Sequence, residues 1–220
     1  MRKIAFSILW ILVVAMGNAQ KIKPIKAVLS AGKVVALTFD DGLEPEIHKK
    51  MLTILKKEAV PVTFFMIGSK LSNKKLIKRA LQEGHEIGNH SMTHPVLPKL
   101  SMEGIKKEII GFQEKFKREF DYSPKLFRAP KLQYDDRVME VLVAQKLIPI
   151  NATVGTKDYL EITSVDDIVF AATESPKLGD GAIVLMHEKQ KTLEALPRII
   201  AFYKAKGYKF LTVSALLNLK

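Results

Sequence analysis

The chain has 220 residues, 47% of them hydrophobic, and its 35 basic against 23 acidic side chains give a formal net charge of +12. That length suits one domain with ample core, and the absence of cysteine excludes disulfides and lipid attachment at a cysteine. The basic residues are scattered and the aromatics fall mostly in apolar runs, which argues against nucleic acid as a partner.

The chain opens with "MRKIAFSILWILVVAMGNAQ": two early positive charges, a 13-residue apolar run from Ile4 to Met16, then small residues before Gln20. The run is short for a membrane span and the small residues suit a cleavage site, so residues 1–19 read as a secretory signal peptide. This predicts a secreted or periplasmic protein with no membrane span after cleavage. Residues 20–32 form a lead-in, and 33–220 a single domain. Cleavage removes Arg2 and Lys3 and no acid, so the net charge falls from +12 to +10. Much of that surplus lies in lysines such as Lys49, Lys50, Lys56 and Lys57 on predicted helix faces. A solvated basic exterior is the simple reading, and attraction to an anionic envelope polymer the functional one.

After the lead-in, "VVALTF" (34–39) is a nearly continuous apolar run, as in a strand buried on both faces. A helix is expected around 46–58, a strand within "PVTFFMIG" (61–68), a helix over 72–83, a short strand at 85–88 and a long amphipathic helix over 101–119. Further strands are expected at 125–128, 147–153, 182–186 and 209–213, with helices between them. In the last long helix Leu193, Leu196, Ile200 and Tyr203 recur near helical spacing, Pro197 suits an early turn, and Gly207 suits the stop. Strand–helix alternation over a whole domain predicts an α/β fold with a parallel sheet, a barrel or an open doubly wound sheet.

The unusual polar residues follow the strands, which favours the barrel. Asp40 and Asp41 close "VVALTF", His90 closes "HEIGN", Arg128 closes "PKLF", Asp158 comes shortly after 147–153, and His187 closes "AIVLM". Strand C-terminal ends are where parallel α/β proteins build their sites.

"LTFDDG" (37–42) sets two carboxylates side by side. Neighbours on a strand point to opposite faces, so both reach one site only if the backbone turns, as Gly42 permits. Two close carboxylates ordinarily force one to hold a proton; a divalent cation on one removes the conflict and leaves the other as a base. An Asp-Gly pair alone fits a solvated turn equally well. His90 and His94, four apart in "GNHSMTHP", can aim two imidazoles at one point. With Asp41 they make a two-His, one-carboxylate set that suits zinc hydrolysis and also non-haem iron oxygenation. His48 and His85 have no such company and read as surface or packing residues.

Taken together, "TFDDG", "HEIGNHSMTH", "FRAP", "KDY" and "IVLMHE" occur in the order and spacing of the polysaccharide deacetylases of carbohydrate esterase family 4, the NodB-homology domain, which the chain resembles over about residues 33–217. The resemblance implies a distorted (β/α) barrel. It implies Asp41, His90 and His94 as metal ligands, Asp40 as catalytic base held by Arg128, and His187 as general acid kept protonated by Asp158. It further implies the Lys131 N–H as an oxyanion donor, and a substrate groove at Pro130, Tyr159 and Leu185. Two departures stand out: "RAPKLQY" has Lys131 and Leu132 where the family usually has an aromatic and a glycine, and Tyr159 stands where it usually has tryptophan.

The implied function is metal-dependent hydrolysis of N-acetyl groups on an N-acetylhexosamine glycan (peptidoglycan, chitin-type or poly-N-acetylglucosamine). Zinc is the expected ion, with cobalt, manganese or nickel compatible with the same donors. An O-acetyl esterase using the same site and a non-catalytic glycan-binding relative are the alternatives.

Overall fold

A computed structural model of the chain describes residues 23–218. The signal segment expected at 1–19 lies outside the described residues. Eight strands alternate with helices: β1 Val34–Asp41, α1 Pro45–Glu58, β2 Thr63–Met66, α2 Lys74–Gln82, β3 Glu86–Asn89, α3 Met102–Phe120, β4 Leu126–Phe127, α4 Asp136–Ala144, β5 Ile148–Pro149, β6 Val154–Gly155, α5 Val165–Thr173, β7 Ala182–His187, α6 Gln190–Ala205, β8 Lys209–Phe210 and α7 Val213–Leu216. All strand pairings are parallel, in the order β5-β4-β3-β2-β1-β7-β6, with β8 against the start of β1.

That order forces the sheet to curl. Six strand spacings separate β5 from β6, about 29 Å in a flat sheet. Yet only residues 150–153 join them, a link that spans at most about 18 Å. The edges must therefore come round toward each other, giving the distorted, incomplete barrel. The lead-in fills the seam: Ile25 bridges Ile150, Ala27 bridges Ala182, and Thr153 donates its N–H to the Ile183 carbonyl at 2.8 Å and its hydroxyl to the Lys26 carbonyl at 2.7 Å.

β1 lies in the middle with every residue from Val35 to Asp40 buried, as its apolar run requires. The helices cover the outside with stripes at helical spacing. α1 buries His48, Met51, Leu52 and Leu55, and α3 buries Ile105, Ile109, Phe112 and Phe116. Ser101 caps α3 by accepting the Gly104 N–H, and Ser164 with Asp167 forms a capping box on α5.

Two expectations are corrected. The strand expected at 147–153 shrinks to β5, Ile148–Pro149; the chain then crosses the seam and forms β6, just beyond the expected range, on the opposite edge of the sheet. Pro197 is not in an early turn of its helix, because α6 begins at Gln190 and places the proline two turns in. Gly207 does follow the end of that helix, with φ 76°.

Candidate active site

Asp40, Asp41, His90, Arg128, Asp158 and His187 all sit at the C-terminal ends of strands or just beyond them, at one end of the barrel. Strand register brings Asp40 directly opposite His187 on the neighbouring strand. A pocket of about 280 Å³ opens there, lined by Asp40, Asp41, His90, His94, Lys131, Leu132, Tyr159, Leu185 and His187. Arg128 and Asp158 stand behind its wall, each holding a residue that lines it. Pro130 is buried and opens the turn whose Lys131 and Leu132, both with left-handed φ near 55°, form the wall at that point.

Arg128 is wholly buried. Its Nη1 donates to Asp40 Oδ1 at 2.6 Å and to the Thr38 hydroxyl at 2.7 Å, and its Nη2 donates to the Asn151 carbonyl at 3.0 Å. The guanidinium lies 4.1 Å above the Phe65 ring. Asp40 thus has Oδ1 committed to Arg128, and its Oδ2 lies 3.9 Å from His90 Nε2.

Asp41 turns the chain itself. Its φ of 73° is left-handed, a conformation Asp tolerates better than most residues, so the turn starts one residue before Gly42. Asp41 Oδ1 is thereby aimed at His90 Nε2 (3.4 Å) and His94 Nε2 (3.3 Å), and the three donor atoms lie within 4.8 Å of one another. The histidine loop is braced from below. Asn89 accepts the Ser91 N–H, Ser91 accepts the His94 N–H, and Glu108 accepts both the N–H and the hydroxyl of Thr93.

The donor set fits a divalent cation. His90 Nδ1 donates to the Arg128 carbonyl at 2.7 Å, which fixes the proton on that nitrogen and leaves the Nε2 lone pair toward Asp41. Burial, joined by the nearby His90, lowers the pKa of His94 against the opposing pull of Asp41, which favours the neutral, ligating imidazole. Burial alone would raise the pKa of Asp41. Its contact with His90 and the fields of His187 and His94 outweigh that and hold its carboxyl well below the usual carboxylate range. Asp41 Oδ1 is nonetheless buried without a hydrogen-bond partner, an orphan that a cation between the three donors would satisfy.

Across the pocket, His187 Nδ1 donates to Asp158 Oδ1 at 2.7 Å, and its backbone N–H donates to Asp158 Oδ2 at 2.6 Å. Thr192 completes the cradle by donating its hydroxyl to Asp158 Oδ2 at 2.6 Å. Burial works to lower the pKa of His187; hydrogen bonding and charge from Asp158, with the fields of Asp40 and Asp41, overcome it and raise the value. Tyr159, 59% exposed, sets its ring edge-on to His187 at 5.4 Å.

Sequence reasoning missed Thr38, Thr192, Tyr134 and Glu188. Tyr134 accepts the Ala129 N–H and donates to the Ile150 carbonyl, tying the Arg128 turn to the seam. His48 and His85 are both buried, as packing residues would be. Burial pushes His85 down to about 4, and it accepts the Val62 N–H. His48, however, pairs with Glu188 at 2.8 Å. The one local signal for Glu188 was its place beside His187.

A sequence profile of the polysaccharide deacetylase family matches residues 29–147, more than half of the chain. The chain is 34% identical over 195 residues to a peptidoglycan-N-acetylglucosamine deacetylase of Bacillus cereus, covering 86% of this chain and 90% of that one. It is also 34% identical to a peptidoglycan-N-acetylmuramic acid deacetylase of Bacillus subtilis, covering 86% of this chain but 39% of that longer protein. Among solved structures, a CE4 family pseudoenzyme from Bacillus anthracis is similar with a TM-score of 0.84 at 30% identity, covering 91% of this chain and 71% of the other. A peptidoglycan N-acetylglucosamine deacetylase is similar with a TM-score of 0.83 at 29% identity, covering 90% and 93%.

The two aspartates face different partners, so their losses should differ. Asp40→Asn leaves all three donors of the cation site and is expected to keep a divalent ion while losing turnover by about 100-fold or more. Asp41→Asn is expected to lose the ion as well. Metal analysis of both dialysed proteins, beside acetate release, separates them. An empty Asp40→Asn with a filled Asp41→Asn would reverse the two roles.

Proposed function

The chain belongs to the polysaccharide deacetylase family and is a hydrolase of amide bonds, and we propose that it removes N-acetyl groups from an N-acetylhexosamine polymer of the cell envelope, peptidoglycan first. The observation that carries this reading is the pairing of two proton-handling groups in one pocket: Asp40 backed by buried Arg128, and His187 backed by buried Asp158.

A divalent cation held by Asp41, His90 and His94, zinc first, would supply the positive charge that acidifies a water and polarises the acetamide carbonyl. Asp40, with Oδ1 anchored, accepts the water's proton on Oδ2 as its oxygen attacks the carbonyl carbon. The Lys131 N–H donates to the carbonyl oxygen as negative charge develops on it. His187, with Nδ1 engaged by Asp158, gives the proton on Nε2 to the leaving nitrogen. The carbon–nitrogen bond breaks, and acetate and a free amine result. Tyr159 and Leu185 form the apolar face on which a sugar ring and the acetyl methyl would rest.

The raised pKa of His187 carries a sign. An acid must be protonated to act, so activity should persist above the ordinary histidine range and fall as pH rises through the elevated value. Asp158→Asn removes the largest of the interactions that raise it, leaving burial, which lowers it, opposed only by the fields of Asp40 and Asp41. The alkaline limb of kcat/KM should therefore move to lower pH, measurable in a profile from about pH 5 to 10. An unmoved limb would remove His187 from the role of acid.

Charge supports the choice of substrate. Lys131 lines the pocket, and an adjoining groove of about 630 Å³ that shares Leu132 with it carries Lys23 and Lys26. Carboxylates on the lactyl and peptide substituents of peptidoglycan would meet these lysines, and salt screens such contacts. Acetate release from peptidoglycan should fall more steeply with ionic strength than release from a neutral chitooligosaccharide. If the neutral oligomer is the better substrate at low salt and both respond alike, the ranking reverses.

The signal-like composition of residues 1–19 supports a location outside the cytoplasm, with a mature chain that begins near Gln20. Among the described residues no helix is long and apolar enough to cross a membrane. N-terminal sequencing of the exported protein should read from about Gln20; an intact Met1 start recovered from soluble cytosol would contradict export.

A further inference from the structure

One buried carboxylate takes no part in that chemistry. Glu188 follows His187 at the end of β7 and is 3% exposed, yet it does not line the pocket. Adjacent residues of a strand point to opposite faces, so where His187 faces the pocket, Glu188 turns behind it. Its Oε1 accepts from His48 Nδ1 at 2.8 Å, and its Oε2 accepts the Glu44 N–H at 3.1 Å. A Cβ added to Gly42 would come within 3.2 Å of Oε1, so the carboxylate lies directly against the backbone that follows Asp41.

We propose that Glu188, oriented by His48, is a positioning residue that clamps the 41–44 turn to the end of β7 and so holds Asp41 in its cation-facing conformation. The turn is pinned on its near side by strand pairing and by the Gly42 N–H donating to the Asp40 carbonyl at 3.0 Å. Its far side enters α1, whose N-cap residue Glu44 has no side-chain cap. Glu188 supplies the missing acceptor there, at the helix end where an anion is favoured. His48 makes the anchor stiff: it is fully buried on α1, and its ring packs 4.8 Å from that of Phe64 on β2. One carboxylate therefore joins β7, which carries His187, to α1 and to the turn that begins at Asp41. The left-handed φ of Asp41 is a conformation that relaxes readily unless both sides of the turn are held. Gly42 fits the same account, since a Cβ there would crowd the carboxylate at 3.2 Å.

The inference rests on the cation site proposed above, and metal affinity tests it independently of turnover. The dissociation constant of Zn²⁺ is measured by chelator competition on the full chain, at a temperature where circular dichroism shows each variant folded. The wild type is expected to bind. Glu188→Ala should weaken binding by about tenfold or more, as loss of a group supporting a ligand typically does. Glu188→Gln, which keeps an oxygen for the Glu44 N–H, should recover most of that loss. His48→Leu, which keeps the bulk beside Phe64, should fall between the two, and it carries the test if Glu188→Ala fails to fold. Folded variants that bind Zn²⁺ as tightly as the wild type, whatever their melting temperatures, overturn the clamp. A wild type that binds no divalent ion overturns instead the cation site on which it rests.

Discussion

The ion pair between Arg128 and Asp40 is the constraint on which the rest of the site depends. A guanidinium stripped entirely of water is costly, and its attraction to one carboxylate offsets that cost only with further partners. Here the partners are the Thr38 hydroxyl, the Asn151 carbonyl and the Phe65 ring face. Each comes from a different part of the barrel: β1, the seam and β2. Removing one member of such a buried pair typically costs about 3–5 kcal/mol, because the other is left charged and dry. The pair thus ties site geometry to fold stability. Arg128 also acts through its backbone. Its N–H bonds the Asn89 carbonyl, and its own carbonyl fixes the His90 ring. A single residue therefore orients both the Asp40 carboxylate and the His90 ring.

The seam explains how so short a chain assembles this. β6 reaches β7 only because residues 150–153 carry the chain around the open side of the barrel. Three residues beyond β6 stands Asp158, on the far side of β7 from Asp40, so that His187 is held from one side and faces the pocket on the other. The lead-in, which composition marked only as a short preamble, supplies the missing backbone partners along that seam: Ile25 donates to the Pro149 carbonyl and accepts from the Asn151 N–H. The same Asn151 presents its carbonyl to Arg128. At the opposite end of the barrel buried Glu86 holds the last helix, accepting from Thr63 and from Ser214. Closure at both ends keeps the strands that carry the site in fixed register.

Local patterning made much of this legible. β1 showed itself by an unbroken apolar run, and α1 and α3 by their stripes. The site residues showed themselves by breaking the pattern at strand ends, where polar groups have no place in a core. The family resemblance then gave Asp40 and Asp41 different expected roles, a distinction that "TFDDG" by itself does not make. What escaped were contacts set by sheet order. Thr192 reaches Asp158 from 34 positions away and Glu188 reaches His48 from 140 away. Only the adjacency of β1 and β7 brings α1 and the β7 end together, and no short window encodes it. The strand expected at 147–153 failed for a similar reason. The seam mixes buried Ile150 with the partly buried Asn151, Ala152 and Thr153, so composition does not mark the point where pairing passes from one edge of the sheet to the other.

Fold alone is a poor guide to activity in this family, since the barrel is shared about equally with a deacetylase and with a pseudoenzyme. The warrant for catalysis lies in side chains and in what stands behind them. In this chain Asp40 and His187 each have a charged partner on the side away from the pocket, Arg128 behind Asp40 and Asp158 behind His187. A carboxylate that served only as a surface turn would have no use for a wholly buried arginine. A histidine kept only for packing would not need a carboxylate that both its ring and its backbone engage. Burying Arg128, Asp158 and Glu188 together costs desolvation that an apolar core of the same volume would avoid. Their common feature is that each fixes a group on the pocket rim or the backbone beside it, which is what preorganisation for charge development in a reaction requires.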